Sequence, residues 1–139
     1  MVLSMSMRFI TGSHSVFSIH FHLVLVTKYR HKCITPAIAT RIDELTHAIC
    51  ESSDCQLLES NGEADHRHFL ISSTPAIAPA KLVNTIKTNT SRLIRKEFCD
   101  HLRPFYWKPV FWSRSYCIVS AGGAPLSVIQ KYIQNQGAA

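Results

Sequence analysis

The sequence predicts an α+β domain in which an antiparallel sheet carries helices on one face. Three observations predict it. Strand-like stretches fall at residues 16–27, 55–59, 65–72 and 116–120. Two longer stretches, opened by Pro36 and Pro79, instead repeat apolar residues at helical spacing. A further helical stretch follows Pro125.

Residues 1–13 read as a flexible lead-in, and residues 14–139 as one domain. From Val16 to Thr27, Phe17, Ile19, Phe21, Leu23 and Leu25 alternate on one face. Val24 and Val26 make the other face apolar too, which marks a central strand. It ends in Lys28-Tyr29-Arg30-His31-Lys32, either a solvated strand end or a phosphate contact. After Pro36, Ile38, Ile42, Leu45 and Ile49 form one helix face. Cys55 to Glu59 is a short strand, and Asn61-Gly62 is a hairpin turn signal. The strand Asp65 to Ser72 is its partner. After Pro79, Leu82, Val83, Ile86, Leu93 and Ile94 face inward, while Lys81, Lys87, Arg92, Arg95 and Lys96 decorate the rest. Residues 101–114 read as a loop, Tyr116 to Ser120 as the last strand, and Pro125 as the start of the final helix. The order is β-α-β-β-α-β, the ferredoxin-like arrangement, plus a C-terminal helix. The sheet face away from the two helices is free to carry a site.

With 139 residues the chain is the size of one domain and long enough for a core. It is 46% hydrophobic and 17% charged, which excludes a disordered tail. A net charge of +6 and a pI near 9.3 suit a polyanionic partner. The five cysteines are odd in number and scattered, without a Cys-x-x-Cys pair, as expected of reduced thiols in a cytoplasmic protein. No stretch reaches the ~20 apolar residues of a membrane span.

His66 and His68 project from one face of their strand, one pleat apart, and two imidazoles there can hold one side of a divalent cation. His20 and His22 repeat the pattern on the first strand. Spacing alone gives the downstream pair only an edge, and either pair is about as often structural as metal-binding. In the last helix Tyr132 and Gln136 share a face at i and i+4. Alone, Tyr132 reads as packing against the stripe of Leu126, Ile129 and Ile133. Together, two histidines, an amide oxygen and a tyrosine hydroxyl are the parts of a nucleophilic site acting on a phosphodiester. The aromatics Phe105, Tyr106, Trp107 and Trp112 are candidates for stacking unpaired bases or for the core.

These motifs resemble the single-tyrosine HUH transposases of the IS200/IS605 insertion-sequence group. The likeness runs through Asn61-Gly62-Glu63-Ala64-Asp65-His66-Arg67-His68, Phe111-Trp112-Ser113-Arg114-Ser115-Tyr116, Gly122-Gly123-Ala124-Pro125 and Gln130-Lys131-Tyr132-Ile133, and covers nearly all of residues 14–137. The resemblance implies that Tyr132 is the nucleophile, that His66, His68 and Gln136 bind metal, Mg²⁺ or Mn²⁺, and that the first-strand pair is not the site. It implies single-stranded DNA hairpins at element ends as substrate. It also implies a homodimer in which the tyrosine helix of one chain serves the histidines of the other. Lys28, Arg30, Lys81, Lys87, Arg92 and Arg95 are the candidate DNA contacts.

One position departs from the family pattern, which has a bulky apolar residue where this chain has Arg67. Its side chain points toward the helices, where an unpaired cation is costly. It must reach an edge or find a carboxylate; failing both, the strand shifts and the chain is a decayed copy. The competing readings are a non-catalytic nucleic-acid-binding module on the same fold and a metal-dependent hydrolase.

Overall fold

The computed structural model describes residues 10–11, 16–121 and 126–135. In chain order these form β1 (Ile10–Thr11), β2 (Val16–Phe17), β3 (Ile19–Thr27), a 3-10 turn (Lys28–Arg30), α1 (Pro36–Ser52), β4 (Gln56–Glu63), β5 (His66–Ser73), α2 (Pro79–Glu97), α3 (Cys99–Leu102), β6 (Trp112–Ser120) and α4 (Leu126–Asn135). β1, from the expected lead-in, pairs antiparallel with β2. The rest of that lead-in lies outside the described residues.

The main sheet has the order β4-β5-β3-β6 and is antiparallel throughout. The ferredoxin-like α+β expectation therefore holds, with β3 and β5 as the central strands. α1 and α2 cover one face, burying Phe21, Leu23, Leu25, Phe69 and Ile71 against Ile38, Ile42, Leu82, Val83, Ile86 and Ile94. Both helices start on a proline, whose missing N–H costs nothing in a first turn. Thr35 caps α1 by accepting a hydrogen bond from the Ile38 amide at 3.2 Å.

The opposite face is not wholly free. Val24 and Val26 of β3 meet Ile129 of α4, flanked by Cys117, Val119, Tyr132 and Ile133. Among the described residues this second cluster is small.

Three local expectations are corrected. Asn61 and Gly62 lie within β4, opposite His68 and Arg67, and the turn falls at Ala64–Asp65. Gly62 answers a close approach of backbones instead: a Cβ there would lie 2.2 Å from the His66 carbonyl oxygen. The last strand begins at Trp112, not Tyr116, because Trp112 pairs with Thr27 beyond a register shift in β3. The expected loop also contains α3, whose Leu102 enters the main core.

Candidate functional site

Register brings both H-x-H pairs onto one surface. Residues directly opposite in an antiparallel ladder share a face, and Val24 pairs with His68, Val26 with His66, and His22 with Leu70. His20, His22, His66 and His68 therefore all point away from α1 and α2. His22 Nδ1 lies 2.9 Å from His68 Nε2, so one ring donates and the other accepts. Burial, then the neighbouring His22 and His66, pushes the His68 pKa down to about 4. Burial also lowers His22 and His20. At neutral pH His68 and His22 are uncharged, the state a ligating imidazole requires. The sequence did not reveal the contact between the pairs. Its only signal was a second H-x-H on a strand that the β-α-β-β order places beside the first.

His66 is oriented from behind. Its Nδ1 donates to Asp65 Oδ1 at 2.9 Å, leaving Nε2 as the nitrogen with a lone pair. Asp65 also accepts from Arg30 Nε at 2.7 Å. Burial pushes the Asp65 carboxyl up, but the hydrogen bonds from His66 and Arg30 outweigh it and hold the pKa below its ordinary value. Arg30 reaches on to the Gln134 carbonyl of α4 at 3.1 Å. Thus Arg30 links the tyrosine helix to the histidine strand. Asp65 was not singled out from the sequence; an acidic residue next to an H-x-H pair is the signal it left.

Tyr132 stands on the same sheet face but over a different strand. Its hydroxyl is 3.3 Å from Ser115 Oγ on β6. Burial raises its pKa, a hydrogen bond with Ser115 lowers it, and the net shift is upward. β6 and β5 are separated by β3, roughly 9–10 Å for two strand spacings. Gln130, Ile133 and Gln134 of α4, by contrast, line a polar cavity of about 870 Å³ with His66, Asp65, Arg30 and Tyr29. Gln136 lies outside the described residues. Among the described residues, no group of three or more His, Cys, Asp and Glu side chains is placed to hold a metal ion.

Arg67 finds the carboxylate that its position demands. Its guanidinium donates to Asp43 Oδ2 of α1 at 2.7 Å and to Ser60 Oγ at 2.9 Å. β5 stays in continuous register with β3 from His66 to Ser73.

The candidate DNA contacts scatter over the molecule. Lys81, Lys87, Arg92 and Arg95 ride on α2, behind the sheet from the histidines. Lys87 Nζ donates to the Ser113 and Arg114 carbonyls, at 2.9 and 3.0 Å. Arg92 and Arg95 reach Asn89 and Ser91 of their own helix, and Lys81 is exposed near its start. Lys28 lies over the Tyr29 ring at 5.2 Å. Among the aromatics, Trp112 is buried and donates to Thr90 Oγ1 at 2.9 Å, Tyr106 donates to the Lys28 carbonyl at 2.7 Å, and Phe105 packs on the main core. Trp107 is 88% exposed.

Comparison with known proteins bears on the family and the fold. A family model described as IS200-like transposase matches residues 15–136. The ISDra2 transposase TnpA of Deinococcus radiodurans is 27% identical over 125 residues, covering 90% of this chain and 89% of that protein. The transposase for insertion sequence element IS200 of Salmonella typhimurium is 27% identical over 124 residues, covering 89% and 80%. In three dimensions, the crystal structure of a candidate transposase from Deinococcus radiodurans R1 superposes with a TM-score of 0.83 at 27% identity, over 94% of this chain and 99% of that one.

Proposed function

The chain belongs to the IS200-like transposase family, and from that premise we propose that it cuts and rejoins single-stranded DNA at insertion-sequence ends through Tyr132. The observation that carries the proposal is the shared sheet face. It bears His22 and His68 in ring contact and His66 buttressed by a carboxylate, and it seats the tyrosine helix.

In the reaction, Tyr132 Oη bonds to the scissile phosphorus and the P–O3′ bond breaks. The phenol loses its proton and the departing O3′ gains one. The products are a 5′-phosphotyrosine and a free 3′-OH, and attack by another 3′-OH reverses the chemistry. The covalent link keeps the bond energy, so no nucleotide cofactor is required. With its pKa raised by burial, Tyr132 is a weak nucleophile until charge on the phosphate is neutralised. The residues present fit a divalent cation: the imidazoles of His66 and His68, with a carboxylate behind His66, and, by the sequence resemblance, Gln136 for an amide oxygen. Mg²⁺ or Mn²⁺ there would neutralise and polarise the scissile phosphate. Asp65 and Arg30 hold the His66 ring, and the Arg67–Asp43 pair supports an undamaged strand beneath it. The substrate is a DNA hairpin at each element end, and the working unit is a homodimer whose sites combine two chains. Among the described residues no helix is long and apolar enough to cross a membrane.

A covalent-trapping assay tests the proposal. Labelled single-stranded hairpin DNA from the element ends is incubated with the protein and Mn²⁺, then run on a denaturing gel. A metal-dependent adduct is expected, absent from Tyr132→Phe and His66→Ala. Hydrolysis that survives Tyr132→Phe would instead establish a hydrolase, and hairpin binding without cleavage a binding module.

A further inference from the structure

We propose that Trp107 and Tyr29 form a stacking subsite for an unpaired DNA base, on a track that leads to the histidine face. The inference rests on the single-stranded DNA reading and gives it a place on the surface.

Trp107 and Tyr29 are two of only three large hydrophobic side chains exposed among the described residues, at 88% and 54%. Both wall a cavity of about 270 Å³ together with Lys28, Tyr106 and Lys108. Sites that enclose a whole small ligand run to roughly 300–1,000 Å³, so this cavity suits one half-inserted group. Each exposed ring carries its own cation, Lys108 Nζ at 5.0 Å from the Trp107 centroid and Lys28 Nζ at 5.2 Å from that of Tyr29. A flat aromatic surface edged by ammonium groups matches a base with its flanking phosphates.

The backbone is bent to present this surface. Tyr29 and Arg30 have φ of 59° and 54°, a left-handed conformation that non-glycine residues seldom adopt. The floor is fixed, because the Tyr106 hydroxyl is bonded to the Lys28 carbonyl and its ring stacks on His31 at 5.1 Å.

Continuity identifies the occupant. Tyr29 also lines the polar cavity that contains His66. On the other side, Trp107 walls a further cavity of about 420 Å³ with Arg95, Arg103 and Lys108. Three cavities thus follow one another, the first two sharing Tyr29 and the last two Trp107, and the far end is basic. An extended polynucleotide with one end at the histidines fits that succession. The bases of a duplex, already stacked on each other, have no free face to offer Trp107.

The test uses the full chain and an unlabelled single-stranded DNA hairpin with a 3′ or 5′ single-stranded tail, read by tryptophan fluorescence. A fluorescein-labelled copy read by anisotropy gives affinity. Buried Trp112 serves as the internal constant. Wild-type fluorescence should quench on binding. Trp107→Ala should remove the quench and weaken binding about 5- to 150-fold, the equivalent of one stacked base, while Trp107→Phe keeps most of the affinity. Lys108→Ala should lower the slope of log affinity against log salt by about 0.7, and Trp107→Ala should leave the slope unchanged. Wild-type affinity in Trp107→Ala overturns the subsite, as does equal, Trp107-dependent binding of a blunt duplex. An RNA of the same sequence that binds more tightly overturns the assignment to DNA. Adduct formation by Trp107→Ala with unweakened binding would sink the subsite and leave the transposase reading standing. Trp107-dependent binding by a chain that forms no adduct would do the reverse.

Discussion

Asp65 and Arg67 flank His66 and serve opposite faces of the sheet. Asp65 holds the His66 ring and is itself held by Arg30. Losing such an outer partner typically costs 10- to 100-fold in metal affinity. Asp65→Ala should therefore weaken Mn²⁺ binding by about that factor, with Asp65→Asn in between; Mn²⁺ electron paramagnetic resonance measures it without DNA or turnover. Unchanged affinity in Asp65→Ala would show that the carboxylate does not support the histidine. Arg67 makes a different point. The sequence showed that a cation was buried there and what it needed, but not that Asp43, 24 residues upstream, would supply it. Removing one partner of a buried pair commonly costs about 3–5 kcal/mol, whereas replacing the buried ion with an apolar residue is often neutral. The Asp43 side chain is 31% exposed, so water offsets part of the loss. Asp43→Ala should cost about 2 kcal/mol by urea denaturation and Arg67→Leu under about 1 kcal/mol. The reverse order would mean that Arg67 contributes through its packed stem rather than its charge.

At the scale of elements, periodicity placed the helices well and left the strand ends in doubt. Apolar spacing and an initial proline located α1 and α2, because both signals are local. The β4–β5 turn was misplaced since Asn-Gly is a strong local signal overruled here by a long-range constraint. Gly62 sits opposite Arg67, where its missing side chain lets β4 approach the His66 carbonyl. The obstructing atoms are all backbone, so they cannot swing aside. Gly62→Ala should destabilise the fold by about 1–3 kcal/mol, as a lower urea midpoint. An unchanged midpoint would show that β4 slides to accept the methyl group. The contact between the two histidine pairs was illegible for a related reason. It depends on the β3–β5 register, and a shift of one residue would turn one pair to the other face.

The whole molecule divides its work between two sheet faces. Among the described residues the helix face holds most of the large buried side chains, while the histidine face holds a smaller cluster under α4. That asymmetry bears on which tyrosine meets which histidines. Within one chain, Tyr132 is engaged at β6, and the histidine pair lies on β5, roughly 9–10 Å away by strand spacing. In-line attack on a phosphate held at the pair needs a nucleophile about 3 Å from phosphorus. A tyrosine supplied by a second copy meets that need without displacing α4 from its own sheet. If sites are shared, His66→Ala and Tyr132→Phe, each inactive alone, should complement when mixed under exchange conditions. Random pairing makes half of the dimers mixed, each with one intact site of two, so adduct should return to about a quarter of the wild-type level. The adduct should run on the His66→Ala chain, which keeps its tyrosine, and a size tag on one chain reads this directly. Recovery absent from a mixture shown to exchange would mean that each chain uses its own tyrosine. α4 would then have to leave Ser115 and turn toward β5, and the Arg30 bond to the Gln134 carbonyl would be the contact that this movement must break or carry along.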